Sequence, residues 1–155
     1  MNLSYRNIKP DEQYAEQIWN VEQTAPQWFR DASSVWHKSF DAFLNFWRSN
    51  CGEIFGLFDG EELRAVVYLE FLSAIQFNVH VSIVGRVAEN DLVRWFESLK
   101  RQKAIEGYTI MQGWLVARNR GLIRIAEKAG FLRAGCKMDY GECRWKVIRW
   151  VQVRA

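Results

Sequence analysis

Residues 114–131 of the chain read WLVARNRGLIRIAEKAGF, and no other stretch says more about its architecture. Trp114 to Ala117 is typical of the end of a strand, and Asn119 is a good helix N-cap because its side chain accepts a hydrogen bond from an unpaired backbone N–H. An apolar stripe then recurs at helical spacing and consists of Leu122, Ile125, Ala126 and Ala129. Gly130 follows where a left-handed backbone costs least, and Phe131 starts an extended run. The stretch predicts a strand, a capped helix and another strand.

The composition indicates a globular protein with an aromatic core. The chain has 155 residues, of which 49% are hydrophobic, and its 8 Trp and 10 Phe are enough to fill a core of one domain over residues 1–155. No segment reaches the roughly eighteen apolar residues that a membrane span needs, and the start MNLSYRNIKP lacks a signal-peptide profile. We therefore expect a cytoplasmic protein without a membrane partner.

The cysteines and histidines form no metal-ligand spacing. The three cysteines are Cys51, Cys136 and Cys143, and the two histidines are His37 and His80. We expect free thiols in a reducing compartment and no metal, with Cys136 and Cys143 opposite each other across a hairpin.

The net charge of +3 conceals an asymmetry along the chain. Residues 1–75 hold 6 Lys or Arg against 11 Asp or Glu, giving −5, whereas residues 76–155 hold 15 against 7, giving +8. A basic half attracts anions such as nucleotide phosphates or nucleic acid, and an acidic half favours cations such as amines. The alternative for both halves is ordinary solvated surface charge that binds no partner.

The rest of the chain alternates between strand and helix patterns. Strands are predicted at 3–8, 53–58, 63–72, 77–85, 108–116, 131–140 and 144–153, and helices at 11–23, 34–49, 91–105 and from Asn119 onward. An Asp-Gly hairpin turn joins the second and third strands, and Gly141 joins the last two. The predicted order is β, α, α, β, β, β, α, β, α, β, β.

The helix string from Asn119 to Phe131 resembles the signature N-x-x-A-I-x-L-Y-E-K-x-G-F of the GNAT superfamily of acyl-CoA-dependent N-acetyltransferases. The order of elements over the whole chain is also similar to the GNAT order. The resemblance implies an α/β (α+β) GNAT fold with a mixed central sheet. One departure is Ala126, which stands where many members carry a tyrosine general acid.

The resemblance also implies where a coenzyme would lie. Members bind the pyrophosphate of acetyl-CoA on the loop after the fourth strand, with the pattern Q/R-x-x-G-x-G/A, where glycines let backbone N–H groups close on the phosphate. Here Glu89 and Asp91 replace both glycines, so they block the close approach and repel the ligand. Nearby Arg86, Arg94, Arg120 and Arg124 offset part of this repulsion, so we expect coenzyme binding to be weakened and not excluded. The alternative is that Asn90 and Asp91 are ordinary N-terminal helix residues. The cofactor-binding candidates carried over for acetyl-CoA are Val81, Ile83, Arg86, Asn90, Asn119 and Arg124.

Catalytic candidates come from the same resemblance. Some members use a glutamate or histidine on the fourth strand as general base, and His80 lies there; Glu70 on the neighbouring strand is a weaker candidate. A packed, hydrogen-bonded histidine is the ordinary alternative. A basic stripe on the helix consists of Arg120, Arg124 and Lys128. It suits the coenzyme 3′-phosphate, an acidic protein or a nucleic-acid backbone, and the alternative is a solvated helix face that binds nothing. No aromatic interleaving in it favours nucleic acid.

Two functions follow from these residues. We favour a degenerate GNAT-fold protein that acts as a binding or assembly module, similar to GNAT-like proteins encoded by tailed phages, in the host cytoplasm or the virion. The alternative is an acetyl-CoA-dependent N-acetyltransferase that acts on a small amine. A protein partner, an amine substrate and an oligomer are compatible with the sequence, which identifies none of them.

Overall fold

The computed structural model describes residues 3–9, 12–24, 39–49, 52–139 and 141–151. Its elements, in chain order, are β1 (Leu3–Asn7), α1 (Glu12–Thr24), α2 (Phe40–Arg48), β2 (Gly52–Asp59), β3 (Glu62–Phe71), β4 (Gln76–Ile83), α3 (Glu89–Ile105), β5 (Ile110–Val116), α4 (Arg120–Lys128), β6 (Leu132–Asp139) and β7 (Glu142–Trp150). This is the predicted order of elements, which is therefore confirmed.

The seven strands form one mixed sheet with the order β1-β2-β3-β4-β5-β7-β6. The β4–β5 pair is parallel, whereas β1–β2, β2–β3, β5–β7 and β6–β7 are antiparallel. Gly60 (φ +60°) and Gly141 (φ +72°) take up the left-handed conformation at the two predicted hairpin turns. Both predicted hairpins are thus confirmed.

The chain divides into two compact units. Unit 1 consists of residues 1–70 and 81–86, and unit 2 consists of residues 71–80 and 87–155. The single domain predicted over residues 1–155 stays a prediction. None of the helices in the described ranges is long and apolar enough to cross a membrane.

Unit 1 has an aromatic core between its helices and strands. Phe43 of α2 makes edge-on ring contacts with Trp47 and Tyr68, and the Trp47 indole N–H donates to the Ile8 carbonyl at 3.0 Å. The N-cap of α2 is Ser39, whose hydroxyl accepts from the Ala42 N–H at 3.0 Å. The helix therefore begins at Phe40, and residues 34–38, where the sequence predicted its start, lie outside the described residues.

In unit 2, α3 packs with its apolar face inward. Leu92, Trp95, Phe96 and Leu99 are buried, and Phe96 meets Phe131 edge-on at 6.0 Å between ring centroids. At the other end of α3, Lys103 is fully buried; its ammonium lies 2.7 Å from a Glu106 oxygen and 5.4 Å from the centre of the Phe71 ring. The aromatic and acidic neighbours explain how a lysine is tolerated there.

Two sequence predictions in unit 2 need correction. The buried residues of α4 are Ile123 and Ala126, followed by Ala129, whereas Leu122 and Ile125 of the predicted stripe are only half-buried. Cys136 and Cys143 do not face each other, because the β6–β7 register pairs Cys136 with Trp145 and Cys143 with Met138. Both are free thiols, and Cys51 lies outside the described residues.

Candidate functional site

A buried polar cluster in unit 1 joins α1 to the sheet. The Glu22 carboxylate of α1 is 3% exposed and accepts a hydrogen bond from the Tyr68 hydroxyl of β3 at 3.2 Å. The Ser82 hydroxyl of β4 donates to the same carboxylate oxygen. Tyr68 is 1% exposed and Ser82 is 7% exposed. Three elements thus place one carboxylate and two hydroxyls together in the interior.

Tyr68 donates its hydroxyl proton to Glu22 in this cluster. Burial, and after it the negative charge of Glu22, raise the pKa of Tyr68 well above its usual value. The sequence analysis did not identify these three residues. A signal was present, since Glu22 stands seven residues after Ala15 and four after Ile18, on the stripe where both are fully buried.

The polar side chains of β4 all share one face of that strand. Gln76, Asn78, His80 and Ser82 alternate with Phe77, Val79, Val81 and Ile83, so the two sets point to opposite faces. The predicted base, His80, lies on the polar face and is half-buried. Glu70, the weaker candidate, is half-buried near the end of β3 and pairs in register with Gly52.

Within unit 2 a glutamine of β5 continues this polar row. The Gln76 amide donates to Gln112, and the Gln112 amide donates to Asn78 at 2.7 Å. Gln112 is buried. Hydrogen bonds between side-chain amides therefore link β4 to β5 and back to β4. The alternation of polar and apolar residues in the sequence did not reveal this network.

The ladder between β4 and β5 is short. It comprises the pairs Gln76–Ile110, Phe77–Met111 and Asn78–Gln112, although β4 runs on to Ile83 and β5 to Val116. Val81 and Ile83, carried over as coenzyme contacts, lie on the part of β4 beyond this ladder. Val81 is buried and Ile83 is 47% exposed.

The loop after β4 belongs to unit 1 up to Arg86. Its backbone is fixed by the N–H groups of Val84 and Gly85, which both donate to the Arg64 carbonyl at 2.9 Å. The Arg86 side chain is exposed. The residue that the resemblance assigns to the coenzyme phosphate is therefore open to solvent.

In unit 2, α3 begins two residues earlier than predicted. Ala88 is the N-cap and makes no side-chain capping bond, so Glu89 and Asn90 are the first two helical residues. Asn90 is exposed and Glu89 half-buried. Both acidic residues, Glu89 and Asp91, lie in the first turn, where negative charge stabilises the helix dipole.

Two cations of α4 hold the Glu89 carboxylate. Arg124 binds it through Nε at 3.1 and 3.2 Å and Nη2 at 3.0 Å, and Lys128 Nζ lies 2.8 Å away. Arg124 and Lys128 are one helical turn apart and so face the same neighbour. The hydrogen bond from Arg124, then that from Lys128, lowers the pKa of Glu89 to about 2, and Glu89 in turn raises the pKa of Arg124.

This ion-pair cluster corrects the expected electrostatics of the loop. The sequence predicted that Glu89 and Asp91 repel an anionic ligand. Glu89 is instead neutralised by Arg124 and Lys128, and Asp91 lies 3.4 Å from Arg94. Two of the three cations in the predicted basic stripe, Arg124 and Lys128, are thus paired within the protein. Glu89 therefore repels an anion less than the sequence predicted, and the two cations are less available to bind one.

The remaining predicted residues lie at the start and in the middle of α4. The Asn119 side chain accepts from the Leu122 N–H at 3.3 Å, which confirms it as the N-cap. Ala126 is buried in the middle of the helix. Within the described residues no group of three or more His, Cys, Asp and Glu side chains is arranged to hold a metal ion.

Solved structures with the same fold include N-acetyltransferases. A chimera of the spermidine N-acetyltransferase SpeG from Vibrio cholerae and hSSAT has 12% identity and a TM-score of 0.76, covering 96% of both chains. The ribosomal-protein-S18-alanine N-acetyltransferase from Escherichia coli has 14% identity and a TM-score of 0.75, covering 99% of this chain and 97% of that one.

An acetyltransferase of the GNAT family from Streptococcus pneumoniae has 14% identity and a TM-score of 0.70, covering 96% of this chain and 99% of that one. No family model matches the sequence, and neither does any curated protein. At these identities the likeness establishes the fold alone. The predicted GNAT fold is confirmed.

Proposed function

We propose that this GNAT-fold protein is a degenerate member that acts as a binding or assembly module and has little affinity for acetyl-CoA. One observation carries the proposal: Arg124 and Lys128 hold the Glu89 carboxylate at the N-terminus of α3. In the N-acetyltransferases that the sequence resembles, this helix N-terminus receives the coenzyme pyrophosphate. Here a side chain of the protein supplies the negative charge.

A pyrophosphate at this position would compete with Glu89 for its partners. It would have to displace the carboxylate from Arg124 and Lys128 while lying next to Asp91. Exposed ion pairs are individually weak, so this competition lowers the affinity for the coenzyme without abolishing it. The missing glycines add a second cost, because side chains at Glu89 and Asp91 keep a phosphate away from the backbone N–H groups.

The charge of unit 2 supports a protein partner. Unit 2 contains 14 Lys or Arg against 7 Asp or Glu, giving +7. Such a surface favours an acidic protein. This is consistent with the resemblance to assembly proteins of tailed phages.

Titration with acetyl-CoA, followed by thermal shift and calorimetry, tests the proposal. Wild type should show little stabilisation at millimolar acetyl-CoA, because ligand binding to the folded state raises the melting temperature appreciably only when the concentration approaches or exceeds Kd. Glu89→Gln should bind more tightly because Arg124 and Lys128 become available, and Glu89→Gly combined with Asp91→Gly should bind more tightly still.

The matched control is Glu97→Gln, which removes another α3 carboxylate, one paired with Lys100 at 2.9 Å. It should behave like wild type. Micromolar binding by wild type, unchanged in Glu89→Gln, would refute the proposal.

A second function, N-acetyl transfer to an amine, is favoured by the polar side chains of β4. His80 and Ser82 share a face of that strand, and Ser82 contacts the buried Glu22 carboxylate. Bound acetyl-CoA would supply the acetyl group. His80 would take the proton that the amine loses when its nitrogen attacks the acetyl carbonyl, and coenzyme A would leave as a thiolate when the thioester C–S bond breaks.

Release of free coenzyme A thiol in the presence of amines tests this second function. His80→Gln should lower kcat while leaving the melting temperature close to that of wild type. Absence of thiol release by the Glu89→Gln variant itself, at acetyl-CoA concentrations that saturate it and with each amine tried, would contradict transfer.

A further inference from the structure

We propose that strand β6 (Leu132–Asp139) is an interaction surface for a second copy of this chain. The two β6 strands pair antiparallel, edge to edge, about a two-fold axis at Cys136. This inference goes beyond the proposed function, because it needs neither the coenzyme nor a partner protein of another kind. It concerns unit 2 alone, which contains the whole strand.

The first observation is the open edge of β6. Within the described residues, β6 is the last strand of the sheet and pairs with β7 on one side only. Leu132 is 64% exposed and Met138 is 70% exposed, and Ala134, Gly135 and Cys136 between them are exposed as well. An edge strand presents a row of backbone N–H and C=O groups that can pair with another strand. The complement of this edge is therefore an extended backbone.

The second observation is that β6 has little of the protection usual at a sheet edge, which consists of charged side chains, prolines and bulges. The strand contains no proline. Its two cations lie over rings of its own sheet: the Arg133 guanidinium is 5.0 Å from the centre of the Trp145 ring, and the Lys137 ammonium is 4.3 Å from that of Trp114. A bulge interrupts the pairing just before Gly135, and the pairing is regular from there on. The second half of β6 is therefore a regular, weakly guarded edge.

The third observation is the glycine at position 135. Gly135 does not take up a left-handed conformation, and nothing lies within 4 Å of a Cβ built on it. The neighbouring bulge would need a glycine only if that residue were left-handed. Glycine weakens the interior of a strand and often marks a place where another backbone approaches closely. A second copy of β6 supplies that backbone.

Charge and side-chain size favour one register for this pairing. In a two-fold symmetric contact the same surface meets itself, so one position of β6 lies opposite its own copy. An axis at Lys137 would place two ammonium groups directly opposite each other, which is unfavourable. An axis at Cys136 instead places Lys137 opposite Gly135 and Met138 opposite Ala134. In this register the exposed methionine of each copy packs beside a small side chain of the other.

The net charge of unit 2 gives the dimer a characteristic salt dependence. Unit 2 contains 14 Lys or Arg against 7 Asp or Glu, giving +7, so two copies repel each other and salt screens the repulsion. Backbone pairing and apolar contact between the two strands are not screened in this way. Dimerisation therefore strengthens as salt rises, whereas the binding of an acidic partner to unit 2 weakens.

Sedimentation velocity from micromolar to near-millimolar protein, at low and high salt, tests the dimer. Wild type should show a monomer–dimer equilibrium that tightens with salt. Met138→Lys should weaken dimerisation by about tenfold or more, because it places a charge in the paired edge. The matched control is Ile105→Lys, which adds the same charge at a residue that is 88% exposed at the end of α3. It should dimerise like wild type.

Disulfide trapping at Cys136, whose thiol is free and exposed, measures the register independently. Residues directly opposite each other in antiparallel strands have Cα atoms about 4.5–5.5 Å apart, within the range that a disulfide spans. With copper phenanthroline as catalyst and dissolved oxygen as oxidant, two Cys136 thiols lose two electrons and two protons and should join two chains. On a non-reducing gel, Cys136→Ser should lack this covalent dimer and Cys143→Ser should retain it.

A wild type that stays monomeric at high salt over the whole concentration range would overturn the proposal. Equal weakening by Met138→Lys and Ile105→Lys would also overturn it, as would a dimer that salt dissociates. A dimer without a Cys136 crosslink would overturn the axis at Cys136. The acetyl-CoA titration reports on the coenzyme alone, so the failure of one proposal is distinguishable from the failure of the other.

Discussion

At the scale of single residues, Glu89 shows how one side chain changes the interpretation of a site. The sequence places an acidic residue where a glycine is expected, and the structure shows that the residue is bound by Arg124 and Lys128. In the proposed function, the acid and its two cations together occupy the place that a coenzyme phosphate would take. We therefore expect a substitution at this position to change the pH response of the protein and, under the proposed function, its affinity for the coenzyme.

The pH response of Glu89 can be predicted with its sign. Its pKa is lowered from 4.5 to about 2 in the folded protein, so its stabilising effect is present above the unfolded value and is lost as pH falls from about 4.5 to about 2. Melting temperatures of wild type and Glu89→Gln should differ at pH 6 and converge at pH 2. A gap that stays constant over this range would contradict the role of the charged pair.

Two glycines should respond to alanine with opposite signs. A Cβ at Gly52 would lie 2.6 Å from the Leu69 carbonyl oxygen, a backbone atom that cannot easily move, whereas nothing lies within 4 Å of a Cβ at Gly121 in α4. Gly52→Ala should therefore lower the free energy of unfolding by about 1–3 kcal/mol. Gly121→Ala should raise it by about 0.5–1 kcal/mol, because alanine favours the helix. Urea denaturation measures both, and the same sign for both would be inconsistent with this packing.

At the scale of elements, the stability of α4 depends on the residues that cap its two ends. Asn119 caps its first turn, and Gly130 (φ +87°) lies after its last. Both were predicted from the sequence, because capping involves only residues within one turn. The helix in turn positions Arg124 and Lys128 on one face, so an intact α4 is a condition for the Glu89 ion pairs.

Removal of the N-cap should weaken α4 measurably. Asn119→Ala loses the acceptor for the Leu122 N–H and should destabilise the protein by about 1 kcal/mol. Asn119→Ser keeps a capping oxygen and should cost much less. Hydrogen exchange of the α4 amides checks the location of the effect, which should be concentrated in the first turn.

At the scale of the whole molecule, charge divides the chain. Unit 1 contains 7 Lys or Arg against 11 Asp or Glu, giving −4, while unit 2 carries +7. The sequence predicted this asymmetry from its two halves. We expect this charge to attract unit 2 non-specifically to polyanions, with a strength that falls as salt rises.

Column retention separates this attraction from nucleic-acid recognition. The protein should elute from heparin and from single-stranded DNA at similar salt concentrations, because both bind through charge alone. Arg120→Glu, which reverses a cation of α4, should lower both elution points together. Markedly stronger retention on DNA would support the nucleic-acid reading that the sequence did not favour.

The sequence by itself determined the order of the elements, the hairpin turns and the cap of α4, because each depends on periodicity or on residues close together in the chain. Only the tertiary structure decided the partners of the candidate functional side chains. Glu89 binds Arg124, which lies 35 residues away in the sequence, and Glu22 binds Ser82, which lies 60 residues away. Such contacts exist only after the chain has folded, since burial and ion pairing depend on how elements pack and not on the spacing of residues along the chain.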